Sequence, residues 1–115
     1  NQVVANRVVG DVADRTCIVV DDMIDTGGTI SKAVKQVLEA GAKKVIVAAT
    51  HGVLSDPAAE RLANSGAVEV VLTNTLDIPP AHQFEQLTVL SIAPLIAKAI
   101  HEVFEDGSVT SLFDS

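Results

Sequence analysis

The sequence has no tryptophan and no tyrosine, and its three phenylalanines bring aromatics to only 3%. A core, if there is one, must be built from Val, Ile, Leu and Ala. A single cysteine, Cys17, excludes an internal disulfide and fits a reducing compartment, so a cytoplasmic protein is expected. No apolar run approaches the ~18 residues that span a bilayer, and no secretory h-region opens the chain. Cations are scarce as well. Eight Lys and Arg face 15 Asp and Glu, giving a net charge of −7 and a pI of about 4.7. Such a surface repels phosphate backbones and anionic lipid, so neither nucleic acid nor a membrane surface is an expected partner. The three histidines are dispersed and, with one cysteine, make no metal-ligand spacing.

What is present is aliphatic. Hydrophobic residues make up 48% and charged residues 20% of 115 positions, which excludes intrinsic disorder. This length gives one domain, 1–115, with a single core. The chain starts at Asn1, and its sole methionine, Met23, falls in a strand-to-helix turn. The expectation is therefore the C-terminal piece of a longer, two-domain subunit, with part of any active site lying elsewhere.

Short β-branched runs alternate with helical patterns. Residues 16–20 form an apolar run ending at Asp21 and Asp22. Ile30, Ala33, Val34, Val37 and Leu38 then recur at helical spacing, which predicts an amphipathic helix over 30–40 closed by Gly41. A second strand is predicted at 45–49. Asp56 as N-cap with Pro57 in the first turn opens a short helix to residue 63. Further strands are predicted at 68–73 and 87–92. A last helix opens at Pro94 with Leu95, Ile96, Ala99, Ile100, Val103 and Phe104 as its buried stripe, and ends at Gly107. Continuous apolar strands separated by helices indicate an α/β fold, a Rossmann-like parallel sheet flanked by helices and covered on both faces. Residues 74–84 read as a surface loop, and the apolar tail after Gly107 is expected to dock.

The chemistry concentrates where the first strand meets the first helix. Ligands of open parallel sheets bind beyond the carboxyl ends of the strands, and here that end reads DDMIDTGGT, residues 21–29. Gly27 and Gly28 allow the backbone to approach a ligand closely. The amides of residues 26–29 would open a helix N-terminus, where the macrodipole favours an anion. Thr26 and Thr29 add hydroxyl donors. Asp21 and Asp22 are acceptors suited to a sugar diol or to a metal ion. A phosphate at one end and hydroxyls at the other describe a sugar phosphate. Other phosphate loops fit badly: no Lys-Ser/Thr pair follows the glycines, and the glycines are adjacent rather than spaced as in the dinucleotide fingerprint.

The run VVDDMIDTGGTI at 19–30 resembles the ribose-phosphate loop of the type I phosphoribosyltransferase fold. With VGDV at 9–12, ATHG at 49–52, TNT at 73–75 and SVTSLF at 108–113, the chain resembles about the last third of the ribose-phosphate diphosphokinases. That resemblance implies transfer of the β,γ-diphosphoryl group of MgATP to the anomeric hydroxyl of ribose 5-phosphate, making phosphoribosyl diphosphate for nucleotide biosynthesis. It implies that Asp25, Thr26, Gly27, Gly28 and Thr29 hold the 5-phosphate, and that Asp21 and Asp22 take the ribose hydroxyls, through Mg2+ or directly. It implies a homo-oligomer, hexameric in much of the family. Ser108, Thr110 and Phe113 would then match positions that bind phosphate as activator, or ADP, between subunits; Thr110 stands where a serine is usual.

The same resemblance says what is missing. In the family, ATP is held mainly by the N-terminal domain and a neighbouring subunit. The catalytic lysine and arginine lie on a segment upstream, so no catalytic residue is expected on this chain. Phosphoryl-type transfer needs cations at the developing charge, and residues 21–29 carry three carboxylates and no base, with Arg15 and Lys32 the nearest in sequence. The expectation is a ribose-phosphate binder, inactive alone. A phosphoribosyltransferase of the same fold would need a base-recognising hood that no segment supplies. A non-catalytic regulatory subunit of the synthetase is disfavoured by the intact acidic loop.

Other residues have plainer expected roles. Cys17 reads as a small hydrophobe in a buried strand, His51 as a loop histidine with local hydrogen bonds, and His82 and His101 as solvated surface. Asn74 and Thr75 fit equally a ligand contact or a strand terminus.

Overall fold

The β-branched run from Thr16 builds β1 (Thr16–Ile24), the first strand of a computed structural model that describes residues 10–105, 107, 110 and 112. The other elements are α1 (Gly28–Glu39), β2 (Lys44–Gly52), α2 (Ala58–Ala63), β3 (Glu69–Thr73), a 3-10 turn at Pro80–His82, β4 (Leu87–Leu90) and α3 (Ala93–Phe104). All strand pairs are parallel, in the order β1-β2-β3-β4. This is the expected α/β layout.

β1 and β2 both run further than the apolar run predicts. Pairing continues from Thr16↔Lys44 through Asp21↔Ala49 and Met23↔His51 to Ile24↔Gly52. Asp21, Asp22, Met23 and His51 are thus strand residues, not turn or loop residues. A ladder already nucleated by Ile18, Val19 and Val20 carries residues of poor strand propensity with it. Beyond it, the Ile24 carbonyl accepts the amides of Val53 (3.0 Å) and Leu54 (3.2 Å), which closes the strand end.

Gly41 ends α1 as expected. Its φ is +105°, its amide donates to the Leu38 carbonyl at 3.0 Å, and the Ala42 amide donates to Val37 at 3.2 Å. Those two bonds are a complete Schellman closure. Asp56 does not cap α2, whose N-cap is Pro57 without any side-chain bond. Asp56 instead places Oδ1 3.6 Å from His82 Nε2, so His82 is half-buried against a carboxylate rather than free at the surface.

The core lies on one face of the sheet. Val45, Val47, Ala49, Val70 and Leu72 pack with Ile30 and Val34 of α1 and Ala58 and Leu62 of α2. The expectation of a sheet covered on both faces is corrected here. In a parallel sheet whose strands follow in sequence order, right-handed crossovers place every connecting helix on the same side. The opposite face is left open at β1, where Ile18 is 62% and Val20 74% exposed. Cys17, on the same side of β1 as Val19, is half-buried at the edge of the core rather than fully buried.

The second correction concerns α3. It forms where predicted, with Pro94 in its first turn, but none of its residues is buried, and Phe104 is 84% exposed. Its amphipathic stripe is intact, yet Ile96, Ile100, Val103 and Phe104 on it stay exposed.

Candidate functional site

The edge strand β1 delivers its acidic end to the carboxyl side of the sheet, and the chain then turns into α1. Residues 21–30 alone line a cavity of about 290 Å³ there. All seven residues expected to bind ribose 5-phosphate, Asp21, Asp22, Asp25, Thr26, Gly27, Gly28 and Thr29, border it.

Gly27 makes the turn possible. It is the N-cap of α1 with φ +81°, a left-handed conformation that costs an L-residue roughly 1–2 kcal/mol. Its carbonyl accepts the Ser31 amide at 3.0 Å, the first bond of the helix. No side chain caps α1, so the amides that open the helix are left to whatever lies in front of them. The first turn of α1 contains no acidic residue that would compete with an incoming anion.

Asp21 and Asp22 are successive strand residues, whose Cβ atoms leave opposite sides of the backbone. The Asp22 amide bonds Asp21 Oδ1 at 2.8 Å, so one Asp21 oxygen is already engaged. Both residues still border the cavity. Among the described residues no three His, Cys, Asp or Glu side chains converge as a metal cage. Two carboxylates at an open cavity suit Mg2+, which keeps waters and takes its remaining ligands from a bound substrate.

A cation does reach the loop, and it is neither Arg15 nor Lys32. Arg61, from α2, donates from its guanidinium to the Thr26 carbonyl at 3.2 Å. The Ser31 hydroxyl donates to the Arg61 carbonyl at 3.4 Å, and Ala58 lies so close to Gly27 that a Cβ there would sit 3.4 Å from its Cα. Behind the loop, Arg61, Lys32 and Lys35 border a second groove, of about 700 Å³, together with Thr26, Gly28 and Thr29. Sequence reasoning missed Arg61 because 35 positions separate it from Thr26. The available signal was that α2 follows the strand beside β1 and must pass behind the loop.

The other candidates have structural work. His51 Nδ1 and Thr75 Oγ1 share a hydrogen bond at 2.8 Å. Asn74 Oδ1 accepts the Ile92 amide at 2.8 Å, tying β3 to the start of α3. His101 is exposed on α3. Of the tail positions, Thr110 is exposed, while Ser108 and Phe113 lie outside the described residues.

An acidic strand end running through a left-handed glycine into a helix, on a parallel sheet, is the arrangement of a phosphoribosyltransferase-type α/β fold. The chain belongs to the phosphoribosyl synthetase-associated domain family, whose pattern it matches over residues 4–114. It is 68% identical over 114 residues to the ribose-phosphate pyrophosphokinase of Mycobacterium tuberculosis (strain ATCC 25618 / H37Rv), covering 99% of this chain and 35% of that protein. Identity to the ribose-phosphate pyrophosphokinase of Bifidobacterium longum is 64% over 115 residues, 100% of this chain and 34% of the relative. Among solved structures, phosphoribosylpyrophosphate synthetase from Mycobacterium smegmatis superposes with a TM-score of 0.83 at 66% identity, over 88% of this chain and 34% of that one. The chain spans about a third of the length of the curated relatives it matches.

Proposed function

We propose that this chain is the ribose 5-phosphate half-site of a ribose-phosphate pyrophosphokinase, the C-terminal domain of a longer two-domain subunit. The observation that carries the reading is the cavity formed by residues 21–30 alone, with the N-terminus of α1 opening into it through Gly27. In this reading the amides and hydroxyls of residues 25–29 take the 5-phosphate. Asp21 and Asp22 take the ribose 2- and 3-hydroxyls, with Mg2+ as the bridging cation when it is bound; the metal would neutralise charge on the reactants.

The parent reaction would move the β,γ-diphosphoryl group of ATP to the anomeric hydroxyl. No step of that transfer is assigned to a side chain of this segment. Its contribution is to hold the sugar phosphate still and to present C1, a positioning effect that carries much of the catalysis in phosphoryl-type transfer. ATP would be bound mainly by the remainder of the parent. Assembly into a homo-oligomer, and control by phosphate or ADP through the 108–113 tail, belong to the same reading and rest on the family resemblance.

The test is an amide NMR titration of the chain with ribose 5-phosphate, with and without Mg2+. Shifts confined to residues 21–30, larger with Mg2+, returned to their metal-free size on chelation with EDTA and lost in Asp25→Ala, are the expected result. A well-dispersed spectrum that ribose 5-phosphate leaves unmoved would overturn the reading.

A further inference from the structure

We propose that Arg61 is a positioning residue for the phosphate loop, one that acts by setting which way the Gly27 amide points. This rests on the ribose-phosphate reading of the cavity and names a device within it. Thr26, Gly28 and Thr29 border both the ligand cavity and the groove behind it, whereas Arg61 borders only the groove. The guanidinium therefore stands on the far side of the loop from the ligand. Its one bond to the loop is to the Thr26 carbonyl, at 3.2 Å.

A trans peptide is planar, and its C=O and N–H point in opposite directions. The 26–27 peptide is trans, since Asp56-Pro57 is the only cis bond among the described residues. Drawing the Thr26 carbonyl back toward α2 consequently turns the Gly27 N–H forward into the cavity. A glycine at this position has low barriers to flipping its flanking peptide, so without a tether the same amide could turn away. The tether is itself braced. The Ser31 hydroxyl holds the Arg61 carbonyl, and Ala58, one turn earlier on α2, abuts Gly27. Charge adds to orientation: a guanidinium on the carbonyl oxygen polarises the peptide and makes its N–H a better donor to an anion.

The experiment compares wild type with Arg61→Ala, Arg61→Lys and Lys35→Ala, the last removing an equal charge from the same groove without touching the loop. Two quantities are read: the Kd for ribose 5-phosphate at low and high salt, and the orientation of the ligand-free Gly27 N–H from residual dipolar couplings. Arg61→Ala is expected to reorient or average the Gly27 vector and to weaken binding about fivefold, a loss that persists at high salt, as suits one charge-assisted hydrogen bond at a partly exposed site. Lys35→Ala is expected to leave Gly27 unmoved and to lose affinity only at low salt. Should Arg61→Ala fail to fold, Arg61→Lys, which keeps the charge and loses the planar fork, must show the same Gly27 change. An unmoved Gly27 in a folded Arg61 variant, or equal and salt-screened losses in Arg61→Ala and Lys35→Ala, would overturn the proposal. Wild type that ignores ribose 5-phosphate while Arg61→Ala still moves Gly27 would refute the ligand reading and support the tether.

Discussion

Single residues decide whether the loop can form. Gly27 holds φ +81° and its α-carbon faces Ala58 at a distance that leaves a methyl group 3.4 Å from backbone. Gly27→Ala is expected to cost about 1–2 kcal/mol through left-handed strain alone, read as a lower urea midpoint with an unchanged m-value. It should also weaken ribose 5-phosphate binding by more than Arg61→Ala does, because it moves the backbone rather than one tether. A stability equal to wild type would mean that this turn is not left-handed in solution. Glycine content at 27 and 28 was legible from the string; the sign of φ at Gly27, and the approach of Ala58 to it, were not.

At the scale of elements, the junctions carry the argument. Gly41 closes α1 with two bonds and φ +105°, and the Asp14 amide reaches its carbonyl at 2.9 Å. Gly41→Ala should cost about 1 kcal/mol by the same left-handed penalty, measured by thermal or chemical denaturation. An Ala variant of undiminished stability would contradict the Schellman closure. Helix positions were readable because apolar residues recur with helical period: α1 begins and ends within two residues of the expected bounds, and α3 begins one residue early and ends at Phe104, three residues short of Gly107. Strand ends were not, since β1 continues through Asp21 and Met23 to Ile24 only because β2 is there to pair with them. Propensity describes a residue alone, whereas a ladder is a property of two strands.

The whole molecule is asymmetric. One face of the sheet holds a closed aliphatic core, and the other face, with α3, shows Ile18, Val20, Ile100 and Phe104 to solvent. Stability should therefore be strongly position-dependent. Leu72→Ala, at a fully buried side chain, is expected to cost about 2–5 kcal/mol. Phe104→Ser, on the open stripe, should change the unfolding free energy of this chain by no more than about 0.5 kcal/mol. Denaturant titration of both variants checks the pair. A large loss in Phe104→Ser would show that α3 packs in solution against an element it does not meet here. Among the described residues no helix is long and apolar enough to cross a membrane, which agrees with the absence of long apolar runs in the sequence.

The sequence by itself determined the fold class, the order of elements and the stretch that forms the candidate site. These depend on near-neighbour chemistry: hydrophobic period, glycine placement and a run of acceptors before a helix start. The site could be found this way because it is contiguous, ten residues from Asp21 to Ile30 around one cavity. Tertiary structure alone decided the rest. It brought Arg61 behind Thr26 from 35 positions away, bared one face of the sheet through its strand order, and left the stripe of α3 exposed. Each of these is set by which elements meet in space, and periodicity along a chain does not encode that.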